Sequence, residues 1–358
     1  MRHGESFRAL VEGLTDHDAL AVVVVTHDSA VSLPAVLEAL LEQLTQNDEL
    51  VVLDNASRDG TVALARAAAP RARVIENPSN AGFGAGCALG AKASDAPLLQ
   101  FLNPDCRVEP GCLDRLRAIA SERPDWGAWQ AAVLLPDGHI NTDGGVVHYI
   151  GIGWAGDCGE PVSALPPAPV EVAFPSGAAM VIRRPVWEAL DGFEESYFMY
   201  SEDLDLGLRL WLSGRAVGIV PDARVVHAYE FDKGARKWYW LERNRWRTVL
   251  SVYPTALLLL LAPALLGVEL VLLGLAARDG WLASKLRAQA AVLGGLPTTL
   301  RRRRSVQAIR RVSALEFSSH LSASLDSAYL PIAERHWGAR LQRAYWAAVK
   351  RVLALAAR

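Results

Sequence analysis

At 358 residues the chain is too long for one ordinary core, and it is expected to hold a large α/β unit plus a smaller one. A hydrophobic fraction of 51% with a net charge of only −2 excludes a disordered chain and names no polyanionic partner. Charge is local instead: between Arg278 and Arg311 stand Lys285 and Arg278, 287, 301, 302, 303, 304, 310 and 311, against the single acid Asp279.

Cysteines 87, 106, 112 and 158 form no Cys-x-x-Cys pair and have no close His, so neither a zinc site nor a disulfide framework is expected, and a cytoplasmic compartment fits. Residues 1–18 read as a polar N-terminal extension, and Leu20 to Val25 is too short for a signal-peptide core.

Leu20 to Val25, continuous and β-branched, reads as a strand buried on both faces that stops at Thr26-His27-Asp28-Ser29. A helix over Leu33 to Leu44 follows, then a strand at Glu49 to Leu53 that ends in Asp54-Asn55, and an alanine-rich helix from Val62 to Ala69. This βαβα order predicts a parallel sheet with polar clusters along the rim at the strands' carboxyl ends, where open α/β sheets bind ligands. A short strand at Val74 to Glu76 leads into Asn77-Pro-Ser-Asn80-Ala-Gly82-Phe-Gly84-Ala-Gly86-Cys87 and a helix through Ala93. The glycines do not fit Gly-x-Gly-x-x-Gly, because Cys87 or Leu89 stands where the third glycine belongs, which argues against a dinucleotide-binding oxidoreductase. They read either as a close approach of backbone to a ligand or strand, or as a structural turn.

A fourth strand, Leu98 to Leu102, delivers Asn103-Pro104-Asp105 to the same rim. A helix at Cys112 to Arg123 and a strand at Trp126 to Leu135 follow, and residues 141 to 170, rich in Gly and Pro, read as a long mobile loop region near the site. Beyond it come strands at Val170 to Phe174 and Met180 to Arg183 around Ser176-Gly177-Ala178, a helix from Pro185, and strands at Ala216 to Val220 and Arg224 to His227.

The densest chemistry lies in Tyr200-Ser-Glu202-Asp203-Leu-Asp205-Leu-Gly-Leu-Arg209, where three carboxylates crowd the start of a half-buried helix. Like charges this close raise one another's pKa values, as a general base requires; the alternative is an acidic turn complementing the helix dipole and Arg209.

Taken together, Thr26-His-Asp-Ser29, Asp54-Asn55-Ala-Ser57-Arg-Asp59-Gly-Thr61, Asn80-Ala-Gly82-Phe-Gly84, Asn103-Pro-Asp105, Ser176-Gly177-Ala178 and Ser201-Glu202-Asp203-Leu-Asp205 resemble the inverting glycosyltransferases of family 2. They occur in family order over about residues 20 to 250, and Tyr239-x-x-x-Arg243-Asn244 draws the likeness toward the rhamnosyltransferase-like branch. The resemblance implies a glycosyltransferase-A fold, a Rossmann-like, mainly parallel mixed sheet flanked by helices. It also implies sugar transfer from a nucleotide-diphosphate sugar to a hydroxyl of a lipid-linked or cell-envelope glycan acceptor. It casts Asp203 as general base with Glu202 beside it, and Asp105, with His227, as ligands of Mg²⁺ or Mn²⁺. Thr26, His27, Asp54, Asn55, Asn80, Gly82 and Asn103 fall to the nucleotide sugar, and Asp205, Ser176 and Gly177 to the acceptor, with Asp205 alternatively holding Arg209. Asn103 departs from the Asp that many relatives carry there. A silent sugar-nucleotide-binding or assembly protein with the same fold is the other reading.

From 251 to 358 the character changes to a helical, membrane-associating region after a catalytic domain at 19–250. Leu257 to Leu275 is almost wholly apolar yet contains Pro263 and Glu269, and the uncharged run Val252 to Val268 falls short of the roughly 20 residues a bilayer takes. Packing against the catalytic domain is one reading; a re-entrant or interfacial helix on the cytoplasmic face, with the following basic run on anionic headgroups, is the preferred one. Nucleic acid is not an expected partner, because no aromatic-rich binding fold accompanies Arg301 to Arg304. From Arg340 the tail reads as an amphipathic surface helix.

Overall fold

The computed structural model describes residues 19–228, 236–325 and 336–356, so the polar extension at 1–18 lies outside the described residues. The first half alternates as its apolar runs predict: β1 (Leu20–Thr26), α1 (Leu33–Leu41), β2 (Glu49–Asp54), α2 (Thr61–Ala68), β3 (Arg73–Glu76), α3 (Phe83–Ala91) and β4 (Leu98–Leu102). All seven residues of β1 are buried, and it pairs in parallel with β2 on one side and β4 on the other. Next come β5 (Cys106–Val108), α4 (Cys112–Glu122), β6 (Trp126–Leu134), β7 (Ile140–Thr142), β8 (Gly145–Val147), β9 (Gly153–Ala155), β10 (Val170–Glu171), β11 (Ala179–Arg183), α5 (Arg184–Ala189), α6 (Glu202–Leu212) and β12 (Ala216–His227). The main sheet runs β10-β12-β6-β11-β4-β1-β2-β3, with β5 on β12 and β7 on β6. It is mixed because β11 lies antiparallel between β4 and β6. The runs read as two strands at 216–220 and 224–227 are one strand, β12, whose register on β6 shifts between Val220 and Arg224, where Pro221 cannot donate to the ladder.

Two local expectations change. The glycine-rich stretch is not a loop as far as Cys87: α3 begins at Phe83, and a Cβ on Gly86 would stand 2.7 Å from Val25 Cγ1 and one on Gly90 2.3 Å from Val23 Cγ1. Those glycines let a helix settle onto β1, so the close neighbour is a strand. Residues 141–170 are likewise not a featureless loop. They contain the end of β7 and the β8–β9 hairpin, and Asn141, Thr142, Val147, His148, Tyr149 and Ile150 are buried. The missing side chain of Gly153 admits Leu204, whose Cδ1 would lie 2.2 Å from a Cβ there, so glycine serves packing in this stretch.

The C-terminal region comprises α7 (Arg236–Val252), α8 (Thr255–Arg278), α9 (Leu282–Gly294), α10 (Leu296–Ala308), α11 (Ala314–Ser318) and α12 (His336–Ala356). It shares a core with the α/β unit through α6. Leu206 and Leu210 of α6 enter the sheet core, while Leu204, Leu208 and Leu212 join a second cluster with Leu257, Leu261 and Leu265 of α8, Phe317, Trp346 and Val349. The spacing of 204, 208 and 212 is that of one helix face.

Glu269, within apolar α8, faces inward. It accepts from Lys285 Nζ at 2.8 Å, Gln289 Nε2 at 2.7 Å and Trp246 Nε1 at 2.9 Å, and it also pairs with Arg245. At 24 residues α8 is long and apolar enough to cross a membrane by length and composition. The basic run also divides: Arg301 and Arg304 are exposed, whereas Arg302 and Arg303 turn inward. Arg303 Nη1 donates at 2.8 Å to both Leu250 O and Tyr253 O at the end of α7, which reduces the run's charge available to headgroups.

Candidate active site

The three carboxylates of α6 follow a contorted entry. Phe198, Tyr200 and Ser201 have φ of 66°, 66° and 68°, left-handed values that cost non-glycine residues about 1–3 kcal/mol each. The segment is held from two sides. Asn244 Nδ2 of α7 donates to Tyr200 O at 2.7 Å, Met199 O at 2.9 Å and Tyr197 O at 3.2 Å, and Arg243 Nη2 to Ser196 O at 2.6 Å and Tyr197 O at 3.0 Å. Across the cleft, Phe83 N donates to Phe198 O at 2.8 Å, an approach that needs Gly82, whose φ is 90° and where a Cβ would lie 2.2 Å from that oxygen.

This entry turns Glu202 and Asp203 into a cavity of about 500 Å³ that Asn103, Ser176, Gly177 and His227 also line. Its wall continues over Trp154 of β9 to Trp238 and Leu241 of α7, Leu272 of α8 and Trp281. Asp203 is half-buried; its Oδ2 accepts from Gly177 N at 3.0 Å and its Oδ1 from Leu204 N at 2.7 Å. Burial raises its pKa above the ordinary carboxylate value, and those N–H groups oppose the rise. Glu202 is buried, and its Oε2 has no hydrogen-bond partner among the described residues. Burial first, and then the charge of Asp203, push it up to about 8.

Asp205 does not join them, and the acceptor contact expected of it is not where it sits. It is fully buried, absent from the cavity wall, and paired with Arg209 Nε at 2.7 Å and Arg302 Nη2 at 2.6 Å, with Tyr197 Oη donating at 3.2 Å. Burial alone would raise its pKa, but the two guanidinium groups outweigh it and leave it below the ordinary range. One turn of helix therefore carries carboxylates of opposite character: Asp203 and Asp205, two positions apart, do not share a helix face, and Glu202 has no ion pair among the described residues to match those of Asp205 with Arg209 and Arg302.

On the β1–β2 rim, Asp54 and Asn55 are each 2% exposed and bonded within the protein, not open on the surface. Asp54 Oδ1 accepts from Thr26 Oγ1 at 2.9 Å and Asp54 Oδ2 from Ser57 N at 2.8 Å. Asn55 Nδ2 donates to Gly82 O at 3.0 Å, and its Oδ1 accepts from Asn77 Nδ2 at 3.1 Å. His27 Nδ1 meets Asn55 O at 2.8 Å with its side chain 46% exposed, and exposed Asn80 accepts from Gly82 N at 2.9 Å. These bonds tie three loops into one rim.

Asp105 and His227 come together because β5 pairs antiparallel with β12, Cys106 opposite His227. His227 Nε2 lies 3.2 Å from Asp105 Oδ1, itself a buried oxygen without a hydrogen-bond partner among the described residues, and the Cys106 sulfur completes a cluster within 4.8 Å. Burial pushes the Cys106 thiol well above its ordinary pKa, and sulfur is a poor match for hard, oxygen-seeking cations. Asn141 Oδ1, 3.3 Å from His227 Nδ1, is a neighbour sequence reasoning missed, since it lies on the stretch read as a loop. Asn244 was visible as part of a motif but its work was not.

A mixed sheet with this strand order, carrying carboxylates and a His–Asp pair about the carboxyl ends of its strands, is a glycosyltransferase-A fold. Residues 21–133 match the family model described as glycosyl transferase family 2, and residues 102–297 match that of glycosyl transferase family group 2. The chain is 31% identical over 233 residues to the N-acetylglucosaminyl-diphospho-decaprenol L-rhamnosyltransferase of Mycobacterium tuberculosis, covering 59% of this chain and 76% of that protein. It is also 32% identical over 177 residues to the O-antigen biosynthesis protein RfbC of Myxococcus xanthus, covering 45% of this chain and 13% of that one. Among solved structures, GalNAc-T7 with UDP, GalNAc and Mn²⁺ superposes with a TM-score of 0.56 at 16% identity; the match spans 68% of this chain and about half, 49%, of that one. This chain belongs to glycosyltransferase family 2, and it is similar to that family's rhamnosyltransferases.

The environment of Glu202 yields a stability test. Its folded-state pKa of about 8 lies above its ordinary 4.5, so the native state keeps a proton that the unfolded chain releases, and stability falls as pH rises between those values. Glu202→Gln removes that loss: its melting temperature exceeds wild type at pH near 8 and the gain shrinks toward pH near 5. A melting-temperature difference that does not change with pH would show that Glu202 is ionised throughout.

Proposed function

We propose that the chain transfers a sugar, a deoxyhexose by analogy with its rhamnosyltransferase relatives, from a nucleotide-diphosphate sugar to a hydroxyl of a lipid-linked or cell-envelope glycan acceptor. Asp203 acts as general base for an in-line attack with inversion. The observation that carries this is the Asp203 carboxylate in the cavity, oriented by Gly177 N–H beside a Glu202 that still holds its proton at neutral pH. The protonated neighbour leaves Asp203 as the group able to take the acceptor's hydroxyl proton. The mycobacterial relative is named for a decaprenyl-linked acceptor, and the apolar and aromatic wall from Trp154 to Trp281 suits an acceptor with a lipid portion. In this reading residues 19–250 supply the chemistry and 251–358 the membrane-side wall.

Asp203→Asn is expected to keep nucleotide-sugar affinity and melting temperature while losing about 10²- to 10⁴-fold in transfer rate, the range of general-base catalysis. Turnover near wild type on the same preparation would remove Asp203 from the mechanism and favour a silent binding protein.

A divalent cation, Mg²⁺ or Mn²⁺, fits Asp105 and His227. His227 Nε2 lies 3.2 Å from an Asp105 carboxylate oxygen that has no hydrogen-bond partner among the described residues, an arrangement that a cation between them relieves. Such a cation, when bound, neutralises charge on the donor's pyrophosphate. Asp105→Ala is expected to abolish the gain in nucleotide-sugar affinity that added Mn²⁺ produces in calorimetry; an undiminished gain places the cation elsewhere.

The chain sits on the cytoplasmic face of the membrane as a peripheral or monotopic protein. Support comes from α8, whose Leu259, Leu266 and Leu270 are 70%, 66% and 72% exposed while its one acid is satisfied inside. Leu286 and Leu293 on α9 and Leu341 and Leu355 on α12 are also exposed, with exposed Arg278, Arg287, Arg301 and Arg351 on these helices or beside them for anionic headgroups. Leu266→Ser with Leu270→Ser is expected to reduce co-flotation with anionic vesicles without lowering the melting temperature. Flotation equal to wild type would move the membrane surface elsewhere.

A further inference from the structure

We infer that Arg302, on α10, is a positioning residue for Asp203: it closes a buried ion-pair cluster that fixes the catalytic helix to the C-terminal helices. The inference rests on the reading of Asp203 as general base. Asp203 makes no described contact with Arg302, so the action runs through Asp205, two residues further along α6.

The guanidinium of Arg302 satisfies three elements at once. Nη2 meets Asp205 Oδ2 on α6 at 2.6 Å, Nε meets Glu194 Oε2 on the segment leading into α6 at 2.5 Å, and Nη1 donates to Ser251 Oγ at the end of α7 at 2.5 Å. Asp205 is shared with Arg209, whose Nη1 donates to Leu190 O at 2.5 Å and Nη2 to Gly192 O at 2.7 Å. Tyr197 Oη and Thr248 Oγ1, 2.9 Å apart, both approach Asp205 Oδ1, and the Tyr197 ring lies 5.7 Å from Arg302. Two acids and two arginines thus balance within the cluster.

The balance matters because Asp205 has no solvent to fall back on. Without Arg302, the fully buried Asp205 keeps Arg209 alone and Glu194 loses the ion-pair partner described for it, and an under-compensated buried charge is relieved by moving the backbone that carries it. That backbone is the first turn of α6 and the left-handed segment before it, where Asp203 and Glu202 sit. A displacement of about 1 Å in a reacting group costs on the order of 10²-fold in rate. A planar fork is needed, since the ammonium of lysine cannot span Asp205, Glu194 and Ser251 together.

The test compares Arg302→Gln, Arg302→Lys and the double variant Arg302→Gln/Asp205→Asn with wild type, by acceptor-transfer kinetics, nucleotide-sugar calorimetry and melting temperature. The expected result is a kcat for Arg302→Gln lower by about 10²-fold with donor affinity within about twofold. Arg302→Lys lies in between, and the double variant, which removes the unbalanced charge with its partner, recovers part of the lost kcat. If Arg302→Gln does not fold, Arg302→Lys and the double variant carry the same comparison. A folded Arg302→Gln or Arg302→Lys with wild-type kcat, or a double variant no better than its folded single, overturns the inference. Asp203→Asn measured alongside separates the failures: if it turns over normally the general-base reading falls, whereas if it is inactive and Arg302→Gln is normal only the positioning role falls.

Discussion

The structure depends on burying α6 between two cores although its first turn carries three acids. Its leucines divide between the sheet core and the C-terminal cluster, so the helix has almost no solvent-facing side. A fully buried carboxylate in such a helix is tolerable only when its lone pairs meet donors and its charge meets cations, and Asp205 has both in Arg209 and Arg302. Glu202 meets the same burial without a cation and keeps its proton; Asp203 lies between these extremes, half-buried and held by N–H donors. Of three chemically similar side chains within four positions, environment alone pushes two above the ordinary carboxylate range and one below it.

That partition requires the helix to begin at one place and angle. The left-handed residues Phe198, Tyr200 and Ser201 set the angle, and backbone in that state persists only when its surroundings over-determine it. Here the surroundings are Asn244 and Arg243 from the far side and the Gly82 turn across the cleft. Asn55, which joins the Gly82 carbonyl to the β2 rim, extends the same chain of bonds toward the first strands. The two sides of the cleft are therefore connected through hydrogen bonds that end on backbone groups of the segment before α6 and of the Gly82 turn.

The helices after residue 251 are integrated with the α/β unit and not simply appended to it. Glu269, an awkward residue in an apolar helix when read along the chain, is an internal anchor joined to Arg245, Trp246, Lys285 and Gln289. Because it turns inward, the outward face of α8 is left free of charge between Leu259 and Val271. The cavity wall continues directly onto this region through Leu272 and Trp281.

Much of the α/β order was legible in the sequence, because a strand buried on both faces must be a continuous apolar run, as Leu20 to Val25 and Leu98 to Leu102 are, and because parallel strands need crossover helices between them. The family motifs were legible too, since each stands at a strand's end or a helix's start. What the sequence could not specify was direction and partnership. It left Asp205 either at the acceptor beside Asp203 or on Arg209, and the fold chooses Arg209; it made Arg301 to Arg304 one basic patch, yet Arg302 and Arg303 turn inward. The β5–β12 register that sets His227 against Asp105, the Asn141 beside it and the burial of Glu269 all join residues far apart in the chain. Local propensity and periodicity carry no information about such pairings, so only the packed tertiary structure decides them.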